Sequence, residues 1–156
     1  NKFYLWGNYT YTMANPIIKV SDIATAVALS NSIPEFINPP SKEEYKRRLK
    51  EVPHLILVAF DKDHPVGFKV GYERNGVFYS WMGGVLPSYR RRSIARRLAE
   101  KQESWALGQG YKSVTFKTRN QHKNMLLFAL RRGFNIIGFK EKGDVLTNRI
   151  LLQKVL

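Results

Sequence analysis

The chain has 156 residues, 44% apolar and 24% charged, with 26 Lys and Arg against 12 Asp and Glu, a formal net charge of +14 at pH 7. That length suits one domain with its own core, no apolar run approaches the roughly 20 residues that span a bilayer, and the absence of cysteine excludes disulfides, thiolate metal sites and a thiol nucleophile. The charge attracts anionic partners, whether nucleic acid or phosphate-bearing small molecules, and the cysteine-free composition fits a reducing, cytoplasmic location.

Residues 1–15, opening NKFYLWGNYTYTM, read as an N-terminal extension or an extra edge strand. They lack the apolar stretch of about 7–15 residues expected of a signal peptide, and Met13 is a candidate start. Residues 16–156 read as a single domain. Ile17–Val20 is a short strand. Ser21 or Asp22 caps a helix, IATAVALS, that stops before Pro34, and NSIPEFINPP is a Pro-rich loop. Ser41 starts a polar helix, SKEEYKRRLK, with Glu44 placed as in a capping box. HLILVAF (54–60) is a buried strand and DKDHP a turn. VGFKVGY (66–72) is the next strand, and Asn75-Gly76 is the hairpin signal before VFYSWMGGV (77–85). Gly83-Gly84 near the end of that strand are expected to mark a bulge.

Residues 91–107 are predicted as an amphipathic helix closed by Gly108 and Gly110. SVTFKT (113–118) is a strand, 122–132 a helix ending at Gly133, and 134–140 and 148–155 are strands joined by EKGD. The order β-α-α-β-β-β-α-β-α-β-β predicts an α/β chain with a mixed, mostly antiparallel central sheet of about six to seven strands, flanked by about four helices.

The stretch LPSYRRRSIARRLAEKQ (86–102) places five arginines between Arg90 and Arg97. Arg96 and Glu100 are spaced as an i, i+4 surface pair, so Arg96 and Arg97 also fit a solvated face. Arg90, Arg91 and Arg92 fall at or before the first helical turn, where a cation opposes the positive end of the helix dipole. A bound anion removes that conflict, and strand, turn, helix N-terminus is an arrangement that holds phosphate. A nucleic-acid reader would instead need a polar reading helix or exposed stacking aromatics. Phe60, Phe68, Tyr72, Phe78, Tyr79 and Trp81 sit at core-like spacings in strands, which disfavours a nucleic-acid partner. His54, His64 and His122 show no ligand spacing, so no metal is expected.

Two segments resemble a known family. Val85-Leu86-Pro87-Ser88-Tyr89-Arg90-Arg91-Arg92-Ser93-Ile94-Ala95 is similar to the acetyl-CoA signature of the GNAT family of N-acetyltransferases. In that signature a strand ends V-x-P, and the turn then reads Q or R, x-x-G-x, G or A. Arg90 takes its first place and Ala95 its last. Downstream, KTRNQHKNMLLFALRRGFNIIGF (117–139) resembles the family's next strand, Asn-containing loop, helix and Gly-Phe pair. The element order agrees from about Ile17 to the end.

The resemblance implies an acetyl-CoA-dependent acyltransferase acting on a primary amine by direct attack in a ternary complex. The amine would be a small molecule, an amino-acid-like molecule or a peptide N-terminus. It implies that backbone amides of Arg91, Arg92, Ser93, Ile94, Ala95 and Arg96 hold the pyrophosphate, with Arg90, Arg91 and Arg92 adding charge-assisted contacts. It further implies that Gly83-Gly84-Val85 and Leu86 flank the pantetheine, that the Val85 amide stabilises the oxyanion, and that Asn120 or Asn124 contacts the pantetheine arm.

Two positions depart from the family pattern. Ser93 stands where glycine is usual, and Ala129 where a tyrosine often protonates the leaving thiolate. Strand 77–85 has no acid, so Glu73 and Glu35 are the candidate bases. Glu35, Phe36 and Trp81 are candidate substrate contacts, and Ile33, Phe36 and Ile37 either line an acceptor pocket or cap the core. The alternatives are a catalytically silent acetyl-CoA-binding module and a basic nucleic-acid-binding domain. Free sheet edges make a homodimer plausible.

Overall fold

The computed structural model describes residues 15–156; the stretch read as an extension or edge strand lies outside the described residues except for Asn15. The two N-terminal helices start where short polar side chains can satisfy their free N–H groups. Asp22 Oδ1 accepts the Thr25 N–H at 2.8 Å at the head of α1 (Ile23–Ser32). Ser41 Oγ accepts the Glu44 N–H at 3.2 Å at the head of α2 (Lys42–Leu49).

Among the described residues seven strands form one sheet: β1 (Ile17–Val20), β2 (His54–Asp61), β3 (His64–Arg74), β4 (Val77–Val85), β5 (Ser113–Arg119), β6 (Asn135–Lys140) and β7 (Arg149–Val155). Their spatial order is β1-β2-β3-β4-β5-β7-β6. Every neighbouring pair is antiparallel except β4–β5. A parallel pair needs a crossover, and α3 (Ile94–Gly108) supplies it; α4 (Lys123–Arg131) connects β5 to β6.

Both faces of the sheet's centre are covered, while β6 at its edge stays exposed. Ile94, Leu98, Ala99, Gln102 and Ala106 recur at helical spacing and form the buried stripe of α3. That stripe closes a core containing Leu57, Phe78, Val85, Val114 and Leu152. On the other face α1 and α2 bury Leu29, Tyr45 and Leu49 against Phe68, Val70 and Tyr72.

Two local expectations are corrected. α3 begins at Ile94, not at 91, because Arg91 and Ser93 hold φ of 61° and 59°, outside the helical region. The bulge of β4 lies at Trp81, not at Gly83-Gly84. Val70 pairs with Met82 and Gly71 with Ser80, leaving Trp81 as the extra residue, while Gly83 and Gly84 pair in register with Lys69 and Phe68. The glycine at 84 serves close approach instead: a Cβ there would stand 2.6 Å from Ile33 Cδ1. The bulge turns both Trp81 and Met82 toward the α1–α2 face, where the Trp81 ring lies 4.6 Å from that of Tyr45.

The sheet forks at its centre. β4 and β5 pair only at Phe78–Val114 and Tyr79–Thr115. Beyond those pairs β4 continues along β3 to Val85, and β5 continues along β7 to Arg119.

Candidate active site

The fork opens toward the turn that joins β4 to α3. Pro87–Tyr89 form a single 3₁₀ turn, and Arg90 to Ser93 lead into the helix. The first helical bond runs from Arg97 N–H to Ser93 O at 3.0 Å. The six N–H groups from Arg91 to Arg96 find no acceptor among the described residues, and Ser93 makes no side-chain cap. Positive φ at Arg91 and Ser93 alternates with negative φ between them, which gathers successive N–H groups into a concave anion nest. The helix dipole adds to that field.

The arginines divide their work. Arg91 is exposed. Arg92 lies over the Tyr89 ring, 5.0 Å from its centroid, and the Tyr89 hydroxyl is fixed by donating to Asp61 Oδ2 at 3.0 Å. Arg96 stands 3.8 Å from Glu100, on an open helix face. Arg90 is already engaged within the protein. Its guanidinium donates to both carboxylate oxygens of Glu35, at 2.6 and 2.8 Å, and to the Val85 carbonyl at 3.1 Å. The Leu86 backbone, expected beside the pantetheine, is engaged too: its N–H donates to Val66 O and its carbonyl accepts from Tyr89 N–H, both at 2.9 Å.

Val85 faces the other way. Strand backbone groups alternate in direction, and the Leu86 N–H points at β3, so Val85 directs its N–H away from β3, into the fork. Gly83, two residues back and in register, does the same. These are the amides that the fork leaves open.

On the α4 side, Asn120 is already engaged. Its Nδ2 donates to Val145 O at 3.0 Å and its Oδ1 accepts from Lys123 Nζ at 2.8 Å. Asn124, exposed in the first turn of α4, is the asparagine with a side chain to offer. Ala129 is 2% exposed, inside the core, so no hydroxyl comes from that position.

Both candidate bases are engaged within the protein. Glu73 pairs with Phe78 at the far end of β3 and accepts the Tyr111 hydroxyl at 2.7 Å; at ~3.3 Å per residue that end lies roughly 20 Å from Val85. Glu35 is bound twice by Arg90, which holds its carboxyl below the usual carboxylate range. The pair instead ties the loop between α1 and α2 to the turn. In that loop Ile33 is core, Ile37 is 86% exposed, and Phe36 packs by its edge against Phe68 and covers Gly84. Trp81 is held between Tyr45, Tyr72 and Arg48.

Sequence reasoning missed Lys69. It sits between Gly67 and Gly71 in β3, opposite Gly83, and burial pushes its amine down to about 8. The available signal was a lone lysine in the otherwise apolar strand VGFKVGY.

A sheet forked beside an anion nest, with a crossover helix starting at that nest, is an arrangement that can hold a phosphate-bearing ligand. The sequence matches the Acetyltransferase (GNAT) family over residues 25–134, and the chain belongs to that family. Comparison with curated proteins by sequence finds no match. Among solved structures it resembles the ribosomal-protein-S18-alanine N-acetyltransferase of Escherichia coli at 15% identity, covering 88% of this chain and 92% of that one, with a TM-score of 0.77. Ard1 from Thermoplasma volcanium is similar at 16% identity, covering 91% and 98%, with a TM-score of 0.76. The IAA acetyltransferase of Bacillus cereus is similar at 20% identity, covering 90% and 99%, with a TM-score of 0.72.

Proposed function

We propose that the protein moves the acetyl group of acetyl-CoA to a primary amine, by direct attack within a ternary complex. The observation that carries this reading is the run of six unpartnered N–H groups from Arg91 to Arg96 at the mouth of the fork. A pyrophosphate satisfies such a nest, and Arg91 and Arg92 add charge-assisted donors beside it. Gly83 and Val85 offer N–H groups to an extended arm lying in the fork, and the Val85 amide is the donor for the oxyanion. Bound there, acetyl-CoA supplies an activated thioester.

With Glu35 and Glu73 committed elsewhere, the acceptor that fits best is an amine already partly neutral near pH 7. An α-amine near pKa ~8 meets that condition better than a lysine side chain near ~10.4. The likeness to an enzyme named as a ribosomal-protein-S18-alanine N-acetyltransferase supports a peptide N-terminus or an amino-acid-like acceptor.

Titration calorimetry with acetyl-CoA tests this, beside the charge-reversed Arg91→Glu/Arg92→Glu variant. The expected result is micromolar binding that weakens at least tenfold in the variant while its circular dichroism is unchanged. No binding by the unaltered protein overturns the reading. Ala129 and Ser93 favour a second reading, a module that binds acetyl-CoA without chemistry. It predicts the same binding, with no release of CoA over a panel of peptides and small amines.

A further inference from the structure

We infer that Lys69 is a catalytic residue of this transfer, its ammonium standing beside the sulfur of the departing coenzyme A and protonating it. The inference rests on the acetyl-CoA reading above and adds to it the group that handles the leaving thiolate.

Packing steers the side chain toward the fork. Gly67, Lys69 and Gly71 alternate onto the α3 face of β3. A Cβ on Gly67 would lie 3.3 Å from Ile94 Cγ2, and one on Gly71 would lie 2.5 Å from the Phe78 ring and 2.9 Å from Gln102 Nε2. α3 therefore rests almost directly on β3 at both positions, and a lysine between them has no room to rise. Its stem leans sideways over β4: Lys69 Cγ is 3.4 Å from where a Cβ on Gly83 would be. Gly83 belongs to the part of β4 that has left β5. A Cβ at 83 would only touch the lysine stem, so glycine there leaves the space beside it open.

Lys69 is a cation with no anion of its own. Lys69 makes no hydrogen bond or ion pair among the described residues. The groups acting on it are Glu103 from α3 and Arg132 from the end of α4. Glu103 is already taken, by Arg132 at 2.7 Å and by Lys154 of β7 at 2.6 Å, and Glu100 lies 3.5 Å from Arg132 on the open side. The strand neighbours of Lys69, Leu57 on β2 and Gly83 on β4, are uncharged. A partly buried ammonium left in that state is costly, and a thiolate in the fork would supply the counter-charge. The amine titrates near 8 because burial opposes its charge, Glu103 works against that shift and Arg132 adds to it. A thiol near ~8.5 is closely matched, which favours proton transfer in either direction.

In the step, the acceptor nitrogen bonds to the carbonyl carbon and gives its proton to water. The C–S bond breaks, its electron pair passes to sulfur, and Lys69 gives one proton to that sulfur. Lys69 then recovers a proton from solvent before the next turnover.

The test follows the ultraviolet absorbance of the coenzyme A thiolate against pH, free and bound to the unaltered protein, Lys69→Arg and Lys69→Met. Calorimetry with coenzyme A first establishes binding to each. The bound thiol is expected to ionise about one pH unit below the free thiol in the unaltered protein and in Lys69→Arg. In Lys69→Met it returns to the free value or above. A Lys69→Met protein that binds coenzyme A and titrates like the unaltered one overturns the inference. Should methionine prevent folding, Lys69→Gln gives the same comparison. Failure of the unaltered protein to bind coenzyme A is a different result, seen in the calorimeter, and removes the acetyl-CoA reading together with this one.

Discussion

Ser93 occupies φ 59°, ψ 11°, a left-handed conformation that costs an L-residue about 1–2 kcal/mol and that its hydroxyl does not repay with a cap. The family pattern has glycine there, and the structure explains why. Ser93→Gly is expected to stabilise the fold by ~1 kcal/mol and raise Tm by roughly 2–4 °C, read by calorimetric melting. Arg90 teaches the opposite lesson. Its place in the turn motif suggested a phosphate ligand, yet its partner Glu35 lies 55 residues away in sequence, a contact that no local pattern reports. Because Arg90 depresses the Glu35 carboxyl, the pair contributes fully above the unfolded value near 4.5 and is lost as pH falls through the lower folded value. Both side chains are well exposed, at 40% and 52%, so the effect on stability stays under ~1 kcal/mol. Melting curves from about pH 6 to 3 are expected to fall more steeply for the unaltered protein than for Glu35→Gln; parallel curves would show the pair idle.

Among the elements, α2 and the β3–β4 hairpin were legible because their signals are local: Ser41 with Glu44, and Asn75-Gly76. The bulge was not. A glycine pair looks like a bulge when only the strand is in view, while the actual bulge at Trp81 is set by what α1 and α2 require beneath them. Gly84 is held instead by Ile33 and Phe36 from the loop after α1. Gly84→Val would push into Ile33 Cδ1, 2.6 Å from an added Cβ, and into the Phe36 ring at 3.3 Å. Since both are side-chain tips, the loop should move without the sheet unfolding, at a cost of ~1–3 kcal/mol. Urea denaturation measures the loss, and hydrogen exchange should show weaker protection confined to the amides of 33–37.

At the scale of the whole molecule, the net charge of +14 favours anionic ligands and leaves their size open. Salt separates the choices. A polyanion gripped through 6–10 phosphates loses about 10³–10⁵ in affinity between ~50 and ~200 mM salt. Acetyl-CoA, with few charges, should lose under about tenfold over the same range. Calorimetry at the two salt concentrations, beside a DNA control, reads the difference. The chain order of the elements and the mixed sheet with its helices followed from the succession of periodic segments. The fork did not, because it depends on two strands failing to pair, which leaves no mark in either one.

That fork also divides the molecule mechanically. Only two residue pairs join β4 to β5, so the sheet is two leaves, β1–β4 and β5–β7, held by a short seam and strapped by α3. A force pulling the leaves apart would open the seam before either leaf lost its own ladder. A ligand lying between them would act as stitching, making the protein most nearly one body while it is loaded.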